Sequence, residues 1–129
     1  MIQQGITILY VTDQDASRLF YQAVLDTEPI MDLPGMTEFD LGNGMTLGLM
    51  PVKGIRQLLG EALFPVENNP VPKAEVYLRV DDAVKYLNRA VENGANLILT
   101  VEARDWGDRV GYCLDQDGHV LAFAETQSK

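Results

Sequence analysis

The pattern of hydrophobic and polar residues in the first half of the chain predicts a strand, a helix and three further strands. Gly5–Val11 is a short apolar run with β-branched residues, as in a strand. Thr12 or Asp13 can cap a helix that ends near Asp26, because Pro29 restricts the residue before it. Helical spacing places Ala16, Leu19, Phe20, Ala23 and Val24 on the apolar face of this helix. The three further strands are predicted at Glu28–Leu33, Met36–Asp40 and Met45–Met50.

The second half repeats this order of elements. Ala74–Val80 predicts a strand, and Asp81 or Asp82 can cap a helix that ends before Gly94. The apolar stripe of this helix consists of Ala83, Val84, Leu87, Ala90 and Val91. Asn96–Glu102 predicts a strand, and Arg104–Glu125 reads as two strands joined by a turn at Asp115–Gly118.

The two halves therefore predict an α+β fold made of two βαβββ repeats. Val11 aligns with Val80 and Gly44 with Gly118, so Ile6 corresponds to Glu75 and Gly48 to Ala122. We expect a single domain over residues 1–129, with repeat one at 1–50 and repeat two at 73–129. Each repeat offers a mixed, curved sheet with a helix on its outer face, and the uncovered faces are predicted to enclose a cleft.

The connector between the repeats, residues 51–72, has a different composition. Gly54–Gly60 can hold a short helix with Ile55, Leu58 and Leu59 buried. The prolines that follow exclude regular structure, which indicates a linker. A flap over a cavity is the alternative interpretation, and a plain connector is favoured.

Composition and charge narrow the function classes. The chain has 129 residues and a net charge of −9, which argues against a nucleic-acid partner because phosphate binding needs clustered Lys and Arg. A single cysteine, Cys113, suits a reducing compartment. The first residues show no signal peptide, and no apolar run has the length of a membrane span. We expect a cytoplasmic protein without a membrane partner.

Two stretches carry a family resemblance. The opening GITILYVTDQDASRLFYQAVLD resembles the first strand and helix of the glyoxalase, bleomycin-resistance and extradiol-dioxygenase group, the vicinal oxygen chelate superfamily. The closing Arg104–Glu125 stretch is similar to that family's last hairpin, with Trp106-Gly107, Asp115 and Asp117-Gly118 at its characteristic places. The resemblance covers the chain apart from the connector.

The resemblance implies where a metal ion would bind. In the metal enzymes of this family, four side chains at matching places in the two halves hold a divalent ion. The corresponding places here are Ile6, Gly48, Glu75 and Ala122, of which only Glu75 offers a donor atom. We therefore predict neither a metal site nor another cofactor.

Residues suited to catalysis are few. His119, the only histidine, is predicted to be a solvent-side turn residue, since Asp115 and Asp117 are explained by turn chemistry. Cys113 is predicted to be a buried strand residue with an unreactive thiol. No catalytic residue is predicted.

Strand alternation divides the side chains between two faces. If the four family positions face the cleft, the opposite face is apolar and suits the helices: Leu9, Val11, Leu47, Leu49, Val76, Leu78, Val80, Leu121 and Phe123. Thr46, Val120 and Ala124 lie on the cleft face, Tyr112 joins it, and Trp106 lies at its rim. The predicted ligand-binding residues are Ile6, Ile8, Tyr10, Gly48, Met50, Glu75, Tyr77, Arg79, Trp106, Tyr112 and Ala122.

These residues favour binding over catalysis. Aromatic rings with a polar group suit a flat organic ligand, and Glu75 can pair a cationic group or be neutralised by Arg79. We predict metal-independent sequestration of a small organic molecule, aromatic or cationic, by a protein that the resemblance implies is a homodimer. The main alternative is a lyase, isomerase or dioxygenase with atypical metal ligands or with Glu75 as base. A third is an interaction protein whose cleft is filled by its own side chains. The alternative for the cleft residues themselves is that they pack a closed core or a dimer interface.

Overall fold

A computed structural model describes residues 1–60 and 72–127. The first part contains β1 (Gly5–Val11), α1 (Gln14–Leu25), β2 (Met31–Leu33), β3 (Met36–Gly42), β4 (Met45–Pro51) and α2 (Val52–Leu59). The second part contains β5 (Glu75–Arg79), α3 (Ala83–Glu92), β6 (Asn96–Ala103), β7 (Asp108–Leu114) and β8 (Val120–Thr126). No helix in the described residues combines the length and apolarity needed to cross a membrane.

The described residues form two compact units, one built around β1–β4 and the other around β5–β8. The first sheet has the strand order β1-β4-β3-β2, and the second has the order β5-β8-β7-β6. In both, the two strands named first are parallel and the remaining neighbours are antiparallel. This α+β architecture confirms the predicted βαβββ repeat.

The register of the two sheets also repeats. In the first sheet Gly48 lies between Ile8 on β1 and Glu38 on β3. In the second sheet Ala122 lies between Tyr77 on β5 and Tyr112 on β7. The correspondence of Gly48 with Ala122, which was inferred from the positions of two turns, is therefore confirmed.

Helix α1 has the predicted ends but a different buried stripe. Asp13 accepts a 3.0 Å hydrogen bond from the backbone N–H of Ala16, and Asp26 adopts a left-handed conformation with φ of 53°. Leu19 is 59% exposed and Ala16 is also exposed, contrary to prediction. The buried stripe keeps the predicted Phe20 and Val24 and is rotated toward Ser17 and Tyr21, which were not predicted to be part of it.

Helix α3 covers one face of the second sheet. Asp82 caps it by accepting a 3.1 Å hydrogen bond from the backbone N–H of Lys85. The ring of Tyr86 lies 5.8 Å from that of Phe123 on β8. Ala83, Leu87 and Ala90 are buried as predicted, whereas Val84 and Val91 are 46% and 39% exposed because they lie on the flanks of the stripe.

The remaining differences from prediction concern element ends and the connector. Strand β2 begins at Met31 rather than Glu28, since Pro29 has no N–H to donate to a ladder. Within α2 only Ile55 is buried, while Leu58 and Leu59 are 74% and 48% exposed, contrary to prediction. Helical spacing identified one side of α2, but the described elements do not cover the positions beside Ile55. The proline-rich linker and the flap alternative fall largely on residues 61–71, outside the described part.

Candidate functional site

The two faces of each sheet differ as predicted. Every residue assigned to the helix-covered faces is buried or half-buried, including Leu47, Leu49 and Phe123. The other side of each sheet, here called its open face, carries the predicted ligand-binding residues from the strands. We describe the two open faces separately.

The open face of the first sheet is apolar around Gly48. A Cβ atom added to Gly48 would lie 3.0 Å from Cε of Met36, 3.1 Å from Cγ1 of Ile8 and 3.4 Å from Cγ2 of Ile6. These three side chains therefore converge over the bare glycine backbone. Ile6 and Ile8 remain 40% and 38% exposed.

The other predicted residues of this face occupy adjoining positions. Tyr10 and Met50 are direct partners across the β1–β4 pair, and both are half-buried. Strand alternation places them on the same face as Ile8 and Gly48.

Glu38 is a residue of this open face that the sequence reading missed. It lies directly opposite Gly48 on one side and Met31 on the other. Its neighbours Thr37 and Phe39 are both 0% exposed, so Glu38 points to the open face. The alternation of Met36, Thr37, Glu38 and Phe39 carried this signal in the sequence.

The open face of the second sheet has a small apolar platform flanked by two aromatic rings. Val110, Ala122 and Ala124 form a fully buried cluster, and the half-buried Tyr77 and Tyr112 pack against it. The structure thus brings together Tyr77, Tyr112 and Ala122.

A hydrogen-bonded chain borders this platform and holds Trp106. The ring Nε1–H of Trp106 donates to the hydroxyl oxygen of Tyr77 at 2.9 Å. The Tyr77 hydroxyl donates to Oδ2 of Asp108 at 2.5 Å, and Nε of Arg79 donates to the same oxygen at 3.0 Å. Trp106 is 57% exposed and is nevertheless fixed by its indole N–H.

Hydrogen bonding and burial set the charge states of Asp108 and Tyr77. The hydrogen bond from Tyr77, with help from Arg79 and against the effect of burial, lowers the pKa of Asp108. Burial and the hydrogen bond to Asp108 raise the pKa of Tyr77. At neutral pH, Asp108 is therefore a carboxylate and Tyr77 a neutral phenol that donates to it.

The pairing of Arg79 corrects the sequence prediction. Arg79 pairs with Asp108, not with Glu75. Four residues along one strand separate the Cα atoms of Glu75 and Arg79 by about 13 Å, and their side chains form no ion pair. Glu75 lies exposed at the start of β5.

Arg104, like Asp108, is a residue of this region that the sequence did not identify. Its Nη2 donates to the carbonyl oxygens of Val110 at 2.8 Å and Thr100 at 3.2 Å. Its guanidinium carbon lies 5.6 Å from the centre of the Tyr112 ring. Arg104 therefore bridges β6 and β7 where their register shifts, and it supports the Tyr112 ring.

The residues at the four family metal positions do not fit a divalent ion. Side-chain hydrocarbon from Met36 and Ile8 fills the space over Gly48, and Ala122 belongs to the buried apolar cluster. Glu75 alone has an oxygen donor, and a divalent ion needs several around one point.

His119 differs from its prediction as a solvent-side residue. Its side chain is 26% exposed, and its Nδ1 lies 2.8 Å from Oδ2 of Asp115. Oδ1 of Asp115 accepts from the backbone N–H groups of Asp117 at 3.0 Å and His119 at 2.8 Å. Donor atoms of Asp115, Asp117 and His119 lie within 4.8 Å of one another, yet both Asp115 oxygens are engaged in closing the turn.

Cys113 is buried as predicted. It is 0% exposed, and burial raises the pKa of its thiol to about 11. The thiol is therefore protonated at neutral pH and unsuited to nucleophilic chemistry.

A groove of about 400 Å³ lies between α3 and β6 in the second unit. It is lined largely by apolar side chains, among them Val84, Leu87, Val91, Leu97 and Val101. None of the predicted ligand-binding residues lines it, and the alternation of strand residues gave no signal for it.

Comparison with known proteins agrees with this architecture. A family model described as a glyoxalase-like domain matches residues 4–128. A glyoxalase-related enzyme from Fulvimarina pelagi is 24% identical, with 97% of this chain and 89% of that chain covered and a TM-score of 0.79. A glyoxalase/bleomycin resistance protein/dioxygenase family enzyme from Burkholderia phytofirmans PsJN is 20% identical, with 95% and 97% covered and a TM-score of 0.81.

The solution structure of protein ATC0852 from Agrobacterium tumefaciens is 25% identical, with 99% and 100% of the two chains covered and a TM-score of 0.73. A search of curated protein sequences found no match. The family match extends over nearly the whole chain, and the solved structures share its fold. The chain therefore belongs to the glyoxalase-like domain family, within the vicinal oxygen chelate superfamily.

Proposed function

We propose that this protein binds and sequesters a small organic molecule without the help of a metal ion. The observation that carries the proposal is the tethered tryptophan beside the aromatic platform. An exposed indole ring normally rotates, but the 2.9 Å hydrogen bond to Tyr77 holds Trp106 in place. A surface aromatic that is already ordered loses little entropy when a ring stacks on it.

In this mechanism the ligand ring packs against the half-buried rings of Tyr77 and Tyr112, which the fully buried Val110, Ala122 and Ala124 support from below. Trp106 stacks at the edge of the ligand ring. Arg79, whose side chain is 65% exposed, offers guanidinium N–H groups beyond the Nε that Asp108 engages. Binding then follows from shape, stacking and hydrogen bonding, and no bond is made or broken.

The alternative in which Glu75 acts as a general base has less support. A catalytic base must be held within hydrogen-bond reach of its substrate proton. Glu75 is exposed, and no side-chain hydrogen bond to another described residue positions it. Turnover that is lost in Glu75→Gln with ligand affinity unchanged would favour this alternative.

The single tryptophan provides a direct test of binding, because its fluorescence comes from Trp106 alone. We would titrate the protein with 4-nitrobenzyl alcohol, a neutral nitroaromatic that quenches indole emission. Saturable quenching is expected, and the affinity should fall about five-fold in Tyr112→Leu, since stacking on one ring is worth about 1 kcal/mol. Quenching that rises linearly, as for free N-acetyltryptophanamide, would contradict the proposal.

A matched control comes from the opposite side of the same sheet. Tyr86 lies on α3 and contacts Phe123 on the helix-covered face. Tyr86→Leu should leave the quenching curve unchanged while causing comparable loss of aromatic surface. Equal weakening in both variants would indicate a general loss of structure instead of a lost ligand contact.

We also propose that the protein is cytoplasmic and that it forms a homodimer, which the following observation supports. Strand β6 is an edge of the second sheet with three consecutive exposed apolar residues, Leu97, Ile98 and Leu99, at 48%, 52% and 48%. Exposed apolar edges are normally covered, and a second copy would cover this one. Sedimentation velocity should show a dimer that Ile98→Lys converts to a monomer. A wild-type monomer at all concentrations would contradict the dimer.

A further inference from the structure

We propose that Glu38 makes the open face of the first sheet a binding site for a cationic organic molecule, namely an apolar ring that carries one protonated amine. This inference rests on the proposed binding function and adds to it a charge preference, a residue that sets the preference and the sheet on which it acts.

The apolar part of the site surrounds Gly48. Met31, Ile6 and Ile8 are 38%, 40% and 38% exposed, and the Met36 methyl group lies over the glycine. Large apolar side chains that are exposed side by side mark binding surfaces. Methionine adapts its shape to different partners, so this face can accept a ring without a rigid pocket.

Glu38 places a single carboxylate within this apolar surface. It lies opposite Met31 and Gly48, and the glycine offers no side chain to shield or to pair with it. Glu38 is half-buried as a residue, and its carboxylate forms no hydrogen bond or ion pair with any residue in the described ranges 1–60 and 72–127. A carboxylate that lies among apolar side chains without a partner can form a charge-assisted hydrogen bond with a ligand cation.

The other carboxylates near this sheet do not share this property. Asp32 pairs with Nε of Arg18 at 3.2 Å and accepts from the Thr37 hydroxyl at 2.9 Å. Asp40 accepts a 2.8 Å hydrogen bond from the backbone N–H of Gly42.

On the second open face, Asp108 is likewise held by three side chains. Among the acidic residues compared on the described open faces, Glu38 is thus the one whose carboxylate oxygens both remain available to an external cation.

The test uses three probes that share one ring: 1-naphthylmethylamine, 1-naphthalenemethanol and 1-naphthoate. Binding is followed through ¹³C-labelled methionine methyl groups by NMR, and Met31 and Met36 report on the site. At pH 7 the amine should bind about ten-fold more tightly than the alcohol, as for a charge-assisted contact, and the carboxylate should bind more weakly than both. Glu38→Gln should reduce the affinity for the amine to that for the alcohol, which should itself be unchanged.

Asp40→Asn is the matched control, because it removes one negative charge from the same strand and keeps the acceptor for Gly42. It should preserve the preference for the amine. An equal loss in both variants would show that the net charge of −9 attracts the amine from a distance, and it would overturn the role of Glu38.

The remaining outcomes separate the two proposals. Equal binding of amine and alcohol would overturn the charge preference and leave the binding function intact. If no naphthyl probe shifts a methionine methyl group and 4-nitrobenzyl alcohol does not quench Trp106 saturably, both proposals fail. Shifts of Met31 and Met36 that follow protein concentration without a probe would show that a second copy occupies this face, which also overturns the inference.

Discussion

The hydroxyl group of Tyr77 donates a 2.5 Å hydrogen bond to Oδ2 of Asp108, a carboxylate that is 5% exposed. The two residues are 31 positions apart and lie on β5 and β7, which are separated in the sheet by β8. Since the same hydroxyl oxygen accepts from Trp106, the position of the indole ring depends on a bond across the sheet.

Removal of this hydroxyl should release Trp106. In Tyr77→Phe the indole N–H loses its acceptor and Asp108 loses a donor, so the pKa of Asp108 should rise toward its ordinary value. Lower fluorescence anisotropy and stronger acrylamide quenching of the single tryptophan are expected. The lost Trp106 contact should reduce the unfolding free energy by no more than about 1 kcal/mol, because it is exposed.

Tyr112→Phe is the control for this experiment. The Tyr112 hydroxyl forms no hydrogen bond to the described residues, so its removal should leave Trp106 emission and anisotropy unchanged. Unchanged anisotropy in Tyr77→Phe would show that the tether does not order the indole ring.

The His119–Asp115 pair should make stability depend on pH. The hydrogen bond with Asp115, helped by the charges of Asp115 and Asp117, raises the pKa of His119 above 6.5. A raised folded-state pKa means that the folded protein holds the proton more tightly than the unfolded chain. The extra stability is therefore complete below pH 6.5 and is lost as the pH rises through the folded-state pKa.

Two measurements check this prediction. NMR titration of the only imidazole should give a midpoint above 6.5. Urea unfolding should give a lower free energy at pH 8.5 than at pH 6, and His119→Asn should reduce that difference. A midpoint below 6.5 would indicate that burial outweighs the carboxylate.

Cys113 should be inert in the folded protein. Because burial raises the pKa of its thiol to about 11, little thiolate forms at pH 8, and reagents cannot reach the sulfur. Ellman's reagent should label less than one tenth of the protein in buffer and all of it in concentrated urea. Rapid labelling in buffer would show that β7 opens readily at this position.

The local pattern of apolar, polar and turn-forming residues predicted the strands, the helix caps and the repeated register well. Each of these features depends on residues that are neighbours in sequence. Asp13 and Asp82 were identified as possible caps from their place before an apolar stripe, and both cap helices. Glu38 was also within reach, since alternation with the buried Thr37 and Phe39 fixes its face.

The features that the sequence did not predict depend on contacts between residues that are far apart in the chain. Asp108 follows Trp106-Gly107 and gave no signal of its own, because its partners Tyr77 and Arg79 come from another strand. Periodicity likewise places Leu58 and Leu19 on one side of a helix but does not reveal whether another element covers that side.

Two glycines test the assignment of covered and open faces. A Cβ atom added to Gly111 would lie 2.6 Å from Cδ2 of Leu87, 2.9 Å from Cγ2 of Val101 and 3.2 Å from the Val101 backbone nitrogen. Helix α3 or strand β6 must shift to admit it, so Gly111→Ala should reduce the unfolding free energy by about 2–3 kcal/mol.

Gly48→Ala adds the same methyl group on the open face of the other sheet. Its nearest neighbours, at 3.0 and 3.1 Å, are the side-chain atoms Cε of Met36 and Cγ1 of Ile8, and the Met36 methyl can move toward solvent. Replacing glycine in a strand also lowers the entropy of the unfolded chain, which offsets part of the strain. The net change should therefore stay below about 1 kcal/mol, and urea unfolding of both variants measures it. A cost at Gly48 equal to that at Gly111 would mean that Ile6, Ile8 and Met36 are packed against a covering partner, and that the first sheet has no open face for a ligand.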